Sequence, residues 1–181
     1  MISRTLLSMM GWKIEGSFPD VKKAIVIVAP HTSMMDFFLG RLFFSAIGIK
    51  VNFLIKQELF FFPSGIILKS LGALPVARNQ KNNMVEKISQ LFSSKKRMFL
   101  VITPEGTRKK TTNWKRGFYL IAQRSNVPIF LGAIDYKKKI LIVGPRFDIT
   151  GNIEADIKSI KRFYVGVSAK HPENFTVGNI D

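Results

Sequence analysis

The architecture of this chain is indicated first by one stretch, Ala24-Ile25-Val26-Ile27-Val28-Ala29-Pro30-His31-Thr32-Ser33-Met34-Met35-Asp36. Its first five residues are apolar and mostly β-branched, which predicts a buried strand. The mostly apolar residues that follow, 37–44, predict a helix that enters the core. His31 therefore lies at a turn from strand to helix, where α/β folds commonly place their chemistry.

His31 and Asp36 are candidates for a catalytic pair. A helix alone would place them roughly 140° apart, so they can meet only if the chain bends within residues 30–33. If they meet, the carboxylate can take the proton of one imidazole nitrogen and leave the other nitrogen as a base. The alternative is an Asp36 that only caps the helix and a His31 at the surface. The spacing by itself favours that alternative.

The composition limits the classes of function. The 181 residues suit one domain, spanning 1–181, with a sizeable core. Lys and Arg number 28 against 12 acidic residues, a net charge of +16, which predicts anionic partners such as nucleic acid, anionic lipid or phosphorylated small molecules. The absence of cysteine excludes disulfides and a Cys nucleophile. The two histidines are far apart and have no ligand cluster in sequence, so no metal site is expected.

No stretch predicts a membrane span or a signal peptide. The best candidate for a span, residues 59–74, is shorter than the ~20 apolar residues required and is interrupted by Pro63 and Lys69. Residues 2–14 carry apolar side chains at helical spacing. Residues 1–15 could therefore form a helix that packs on the domain, or an amphipathic helix in a membrane interface with Trp12 at the level of the headgroups.

Beyond the His31 turn, strand and helix patterns alternate. We predict strands at residues 51–55, 72–78, 98–102, 128–133 and 140–143, and helices at residues 64–71, 84–92, 117–124 and 153–163. This order predicts an α/β domain with a mostly parallel twisted sheet, helices on both faces and an antiparallel C-terminal hairpin. His31, Lys56, Arg78 and Arg108 each follow a strand, so one histidine and three cations are expected in one crevice.

Several enzyme classes lack their signatures here. The chain has no phosphate-binding P-loop, no dinucleotide-binding glycine motif and no nucleophile elbow of the serine hydrolases. Without a Cys or a marked Ser, a covalent acyl-enzyme is not expected. A histidine–aspartate pair that lacks its own nucleophile suggests that the substrate supplies one, such as a hydroxyl activated by His31.

Five short motifs, in a consistent order, resemble those of a known family. The sequence from His31 to Asp36 resembles the H-x-x-x-x-D motif of the glycerolipid acyltransferases, the lysophosphatidic acid acyltransferase superfamily. The likeness continues at Lys56 with Glu58-Leu59, at Gly72-Ala73-Leu74-Pro75-Val76-Ala77-Arg78, at Glu105-Gly106-Thr107-Arg108 and at Val127-Pro128-Ile129. It covers about residues 24–133 and departs from the usual pattern at Pro30 and Lys109.

The resemblance implies an O-acyltransferase of phospholipid biosynthesis that acts on a lysophospholipid, with 1-acylglycerol-3-phosphate as the first expectation. His31 would accept the proton of the acceptor hydroxyl, which attacks an acyl-CoA or acyl-carrier-protein thioester. Asp36 would fix the imidazole tautomer and stabilise the imidazolium. No cofactor is implied apart from this donor substrate.

The resemblance also implies a site for the acceptor phosphate at Lys56, Arg78 and Arg108, because cations and especially Arg hold phosphate well. Glu105 would orient Arg108 or a backbone loop, Gly106 would permit close backbone approach, and Thr107 would support the same loop. The alternatives are that Lys56 and Arg78 are ordinary solvated cations and that Arg108 pairs with Glu105 within the loop.

The expected partners are the lysophospholipid, the acyl-CoA or acyl-carrier protein, and an anionic membrane surface, with no nucleic acid. The chain would lie at the cytoplasmic face of the membrane as a peripheral protein. Two alternatives stay open. The acceptor could be another lyso-lipid, such as a lyso-aminolipid, or the chain could be a non-enzymatic basic domain that binds lipid or nucleic acid.

Overall fold

The computed structural model describes residues 2–18, 20–77 and 81–180, without the side chains of residues 81–83. Its strands are β1 Lys13–Glu15, β2 Lys23–Ala29, β3 Asn52–Lys56, β4 Ala73–Val76, β5 Met98–Ile102, β6 Ile129–Asp135 and β7 Ile140–Phe147. Its helices are α1 Ile2–Met9, α2 Met34–Ala46, α3 Ser64–Ser70, α4 Lys81–Ser94, α5 Gly117–Ser125 and α6 Ile153–Phe163. Short 3₁₀ turns occupy Gln57–Leu59 and Pro172–Asn174.

The seven strands form one sheet in the order β1-β7-β6-β2-β5-β3-β4. Strand β2 lies at its centre, and β3, β4, β5 and β6 all run in the same direction as β2. Strand β7 returns antiparallel to β6, and β1 lies at the edge beside β7. The predicted α/β fold with a mostly parallel sheet and an antiparallel hairpin is therefore confirmed.

Two apolar clusters cover the two faces of the sheet. Along β2, Ile25 and Ile27 belong to one cluster, while Ala24 and Val26 belong to the other. Alternate residues of a strand point to opposite faces, which places the clusters on opposite sides of the sheet. The first cluster contains buried residues of α4, α5 and α6, and the second contains those of α1 and α2. Helices on both faces were predicted and are present.

The predicted helix over residues 2–14 is wrong beyond Met9. The chain turns at Gly11, whose φ is +78°, and residues 13–15 form β1, which pairs in parallel with β7. Trp12 is only 8% exposed, and its ring contacts Tyr136 edge-on at a centroid distance of 5.1 Å. Trp12 therefore does not lie at the level of lipid headgroups. A three-residue strand that exists through pairing with a distant strand leaves no local periodicity to detect.

None of the helices in the described part of the chain has both the length and the apolar character needed to cross a bilayer.

Candidate active site

His31 and Asp36 meet at the carboxyl end of β2. The distance from His31 Nδ1 to Asp36 Oδ2 is 3.2 Å. The turn before α2 brings them together, because Asp36 Oδ2 accepts the backbone N–H of Thr32 at 2.7 Å and of Ser33 at 2.8 Å. The Ser33 side chain in turn accepts the N–H of Met35, which completes a capping box. Asp36 therefore caps the helix and faces the imidazole at once, so the alternative of an Asp36 that only caps the helix does not hold.

The His31 ring is placed to act as a base at its outer nitrogen. The side chain is 21% exposed, and its Nδ1 atom is buried. The contact with Asp36 has the distance but not the alignment of a well-formed hydrogen bond, which is common at catalytic sites without substrate. No residue in the described ranges hydrogen-bonds to Nε2. That nitrogen is therefore available to accept the proton of a hydroxyl.

The Asp36 carboxylate is buried yet remains charged. Its Oδ1 atom accepts the O–H of Tyr136 at 2.6 Å. Burial by itself raises the pKa of Asp36, but the contact with His31 and the hydrogen bonds from Tyr136, Ser33 and Thr32 together hold this pKa below its usual value. Asp36 is consequently ionised at neutral pH and can stabilise a positive charge on His31.

Glu105 supports the same turn from β5. It is 2% exposed, and its two carboxyl oxygens accept the backbone N–H of His31 at 3.0 and 3.3 Å. Burial raises the pKa of Glu105 to about 8; the His31 N–H opposes this shift and the Asp36 charge adds to it. Glu105 was expected to orient either Arg108 or a backbone loop. Its hydrogen bonds to the backbone N–H of His31 fit the second role. Arg108 makes no ion pair with Glu105 within the described residues, so the alternative of an Arg108–Glu105 pair is wrong.

Gly106 and Thr107 shape the loop that follows Glu105. Gly106 has a φ of +64°, a conformation that favours glycine, and its N–H donates to the carbonyl of Thr103 at 3.1 Å. The Lys115 side chain also approaches closely, since a Cβ on Gly106 would lie 3.2 Å from it. Thr107 Oγ1 accepts the N–H of Lys109 at 3.2 Å. Both residues therefore belong to the hydrogen-bonded turn after Glu105.

Two of the three predicted phosphate ligands, Lys56 and Arg108, are among the described residues, and both lie on the same edge of the sheet as His31. Arg108 is exposed in the loop after β5, and Lys56 is exposed at the end of β3. The strand register places Lys56 level with Ala29, and two strand spacings separate them by roughly 10 Å. Neither cation forms an ion pair in the described ranges. Arg78 lies outside the described residues.

The comparisons with known proteins identify the family. The family model described as Acyltransferase matches residues 13–134. The chain belongs to the acyltransferase family. The matched segment includes His31, Asp36, Glu105 and the described cations, and the predictions of an acyltransferase enzyme and of the glycerolipid acyltransferase superfamily are confirmed.

The fold of this acyltransferase is similar to that of the 1-acyl-sn-glycerophosphate (LPA) acyltransferase PlsC from Thermotoga maritima. The TM-score is 0.63 at 18% sequence identity, and the match covers 93% of this chain and 77% of that chain. At this identity the likeness concerns the fold. A search of curated protein sequences finds no match.

Two contributions to the site were missed from the sequence. Tyr136 directly follows β6, next to β2, so the rule that selected residues after parallel strands could have found it. The C-terminal segment 166–180 carried no pattern, yet the Ser168 carbonyl accepts the N–H of Tyr136 at 2.8 Å. The backbone N–H of residue 171 donates to Thr32 Oγ1 at 3.2 Å. The side chain of His171 is 47% exposed.

In the part of the chain that the structure describes, no three His, Asp or Glu side chains come together in a way that could bind a metal ion.

Proposed function

We propose that this acyltransferase moves a fatty acyl group from an acyl thioester to the free hydroxyl of a lysophospholipid, with 1-acylglycerol-3-phosphate as the leading acceptor. The observation that carries the proposal is the buried, ionised Asp36 beside His31, with 3.2 Å between Oδ2 and Nδ1. Family membership supports acyl transfer. The printed name of the fold relative, an LPA acyltransferase, supports the choice of acceptor. The donor is acyl-CoA or acyl-carrier protein.

In the proposed reaction, His31 acts as the general base through Nε2. It takes the proton of the acceptor hydroxyl while the hydroxyl oxygen forms a bond to the thioester carbonyl carbon. The C–S bond then breaks, and the imidazolium returns the proton to the leaving thiolate, so His31 ends in its starting state. Asp36 stabilises the imidazolium between these steps. Such a base contributes a factor of roughly 10²–10⁴ in rate, and holding both substrates at one edge adds to it.

The acceptor phosphate binds to the cations that follow β3 and β5. Arg108 can grip a phosphate through two parallel hydrogen bonds, and Lys56 adds a point charge. Both are exposed and lack an acidic partner among the described residues, so binding a phosphate does not require breaking an ion pair. Arg78 is proposed as a third ligand on the strength of its motif.

Replacing His31 by Ala tests the proposed reaction. The purified chain is incubated with an acyl-CoA and 1-acylglycerol-3-phosphate, and both free thiol and diacyl product are measured. We expect H31A to lose transfer by roughly 10²-fold or more while its thermal unfolding stays close to that of the wild type. His171→Ala is the matched control, because it removes the second imidazole and keeps the backbone contact to Thr32. Transfer at the wild-type rate by H31A would refute the proposal.

A panel of acceptors tests the choice of substrate. One acyl-CoA is offered with 1-acylglycerol-3-phosphate, with lysophospholipids that lack a terminal phosphate, and with a lyso-aminolipid. We expect the highest kcat/KM for the acceptor with the phosphate monoester, because it places the most charge between Lys56 and Arg108. A preference for the lyso-aminolipid would show that the proposed acceptor is wrong, but it would not contradict the proposed acyl transfer.

We also propose that the chain works at an anionic membrane surface as a peripheral protein on the cytoplasmic face. Exposed apolar side chains support this, namely Ile2 and Met9 on α1, Phe61 and Phe62 just before α3, and Ile66 on α3. Insertion of these apolar side chains into the bilayer and attraction of the +16 charge to anionic lipid both favour membrane binding. The absence of a nucleic-acid partner stays a prediction.

Substitutions test the membrane proposal better than a deletion. Removing residues 1–15 would take Leu7 and Trp12 out of the core and remove β1 from the sheet. We expect the double variant Phe61→Ser and Phe62→Ser to float less with vesicles that contain phosphatidylglycerol. Leu120→Ser is the matched control, since Leu120 is an exposed apolar residue on α5. Equal flotation of all three proteins would exclude this cluster from membrane binding.

A further inference from the structure

Tyr136 makes a contact with the catalytic carboxylate that the family match does not include. Its O–H donates to Asp36 Oδ1 at 2.6 Å, whereas the N–H groups of Thr32 and Ser33 donate to Oδ2. The Oδ2 atom is also the one that lies 3.2 Å from His31 Nδ1. Both carboxylate oxygens therefore accept hydrogen bonds, Oδ1 from a side chain and Oδ2 from the backbone. Tyr136 lies just beyond the matched residues, which end at position 134.

Tyr136 is itself held in place by two distant segments. Its backbone N–H donates to the carbonyl of Ser168 at 2.8 Å. Its ring packs edge-on against Trp12 at 5.1 Å between centroids, and Trp12 is buried. These contacts fix the ring independently of Asp36, so the hydroxyl presents a preorganised donor to the carboxylate.

We propose that Tyr136 is a positioning residue of the acyl-transfer site, whose O–H fixes the Asp36 carboxylate so that Oδ2 faces Nδ1 of His31. This inference rests on the proposed function. The terminal torsion of an Asp side chain is broad and is set by its surroundings. Loss of the Tyr136 donor would leave Oδ1 buried without this partner, and only the N–H groups of Thr32 and Ser33 would then orient the carboxylate.

The titratable groups around Asp36 come from three strand ends. His31 follows β2, Glu105 follows β5, and Tyr136 follows β6. Burial, the hydrogen bond to Asp36 and the charge of Asp36 all raise the pKa of Tyr136, so its proton stays on the phenol and it remains a donor. The same hydrogen bond helps to lower the pKa of Asp36. Removal of the O–H should therefore raise the pKa of Asp36.

Tyr136→Phe tests the proposal with Tyr119→Phe as its matched control. The Phe ring keeps the packing against Trp12 and removes only the hydroxyl. Tyr119, on α5, also donates its O–H to a buried carboxylate, Asp156 Oδ2, at 2.8 Å, but its hydroxyl partners, Asp156 and Gly151, are not residues of the proposed site. Steady-state transfer of an acyl group from acyl-CoA to 1-acylglycerol-3-phosphate is measured for each variant. The titration of the Asp36 side-chain carboxyl carbon is followed in parallel by NMR.

We expect Y136F to lower kcat by about 10- to 100-fold, the worth of a hydrogen bond to a charged group, and to leave the acceptor KM within about twofold. The Asp36 titration midpoint should rise in Y136F and stay unchanged in Y119F. An unchanged kcat, or equal losses of kcat in the two variants, would overturn the inference. If the wild type transfers no acyl group, the proposed function fails. The titration then still decides whether Tyr136 controls Asp36, and an unchanged midpoint would refute that control.

Discussion

Glu105→Gln tests whether the buried carboxyl behind the His31 turn keeps its proton in the folded chain. Glu105 is 2% exposed and accepts the His31 N–H through both oxygens. Burial raises its pKa from 4.5 to about 8, although the His31 N–H acts in the opposite direction. Glutamine has the shape of the protonated acid, and its amide oxygen can accept the same N–H. The turn should therefore persist in E105Q.

The magnitude follows from proton linkage. Because the pKa of Glu105 is raised on folding, the unfolded chain releases this proton first as the pH rises. The contribution of Glu105 to stability is complete below pH 4.5 and is lost as the pH rises through about 8. Between about pH 5 and 7.5 this loss amounts to roughly 3 kcal/mol, a large fraction of the free energy of unfolding of a typical domain. Glutamine does not titrate, so E105Q should escape the loss.

Urea unfolding, followed by circular dichroism at constant ionic strength, measures the difference. We expect the free energy of unfolding of the wild type to fall relative to that of E105Q by about 3 kcal/mol from about pH 5 to 7.5. Glu154→Gln is the control, because Glu154 is exposed and pairs with Arg116 at the surface, and it should follow the wild-type curve. Parallel curves for the wild type and E105Q would show that Glu105 is ionised in the folded state and would refute this reasoning.

Four further predictions concern single residues. Asp36→Asn should lower kcat by roughly 10²–10⁴, measured by thiol release, because the imidazolium loses its stabilising charge; normal turnover would remove Asp36 from the mechanism. Gly40→Ala should stabilise the protein by about 0.5–1 kcal/mol in thermal unfolding, since nothing lies within 4 Å of an added Cβ inside α2. Gly144→Ala should destabilise it, because that Cβ would collide with the backbone of β6. Arg108→Ala should raise the acceptor KM and change kcat little, whereas Lys109→Ala should leave KM close to the wild-type value.

The local elements could be predicted because their patterns are complete within short stretches. The strand Met98–Ile102 is a run of apolar residues and lies where it was predicted. The helix Ile153–Phe163 also has its predicted bounds, with Asn152 as the N-cap residue accepting the N–H of Ala155. In both cases the physical signal, apolar periodicity or a capping side chain, comes from neighbours in sequence.

The approach of Asp36 to His31 also depends on nearby residues. The bend that brings Asp36 to His31 is the capping turn at Ser33, which a short sequence motif specifies. The charge state of Asp36 was only partly local, because the O–H of Tyr136, a hundred positions further along the chain, helps the nearby groups to lower the pKa of this carboxyl. The role of Glu105 likewise became visible only once β5 lay beside β2, where it holds the His31 backbone and not Arg108.

By itself, the sequence determined the alternation of strands and helices, the family and the residues that carry the proposed chemistry. Tertiary structure alone decided that residues 13–15 form an edge strand, that Trp12 is buried, and that the C-terminal segment contacts Thr32. The physical reason is the range of the interactions. Propensity and capping act over a few residues, whereas strand pairing, burial and the charge state of a buried acid depend on segments that meet only when the sheet assembles.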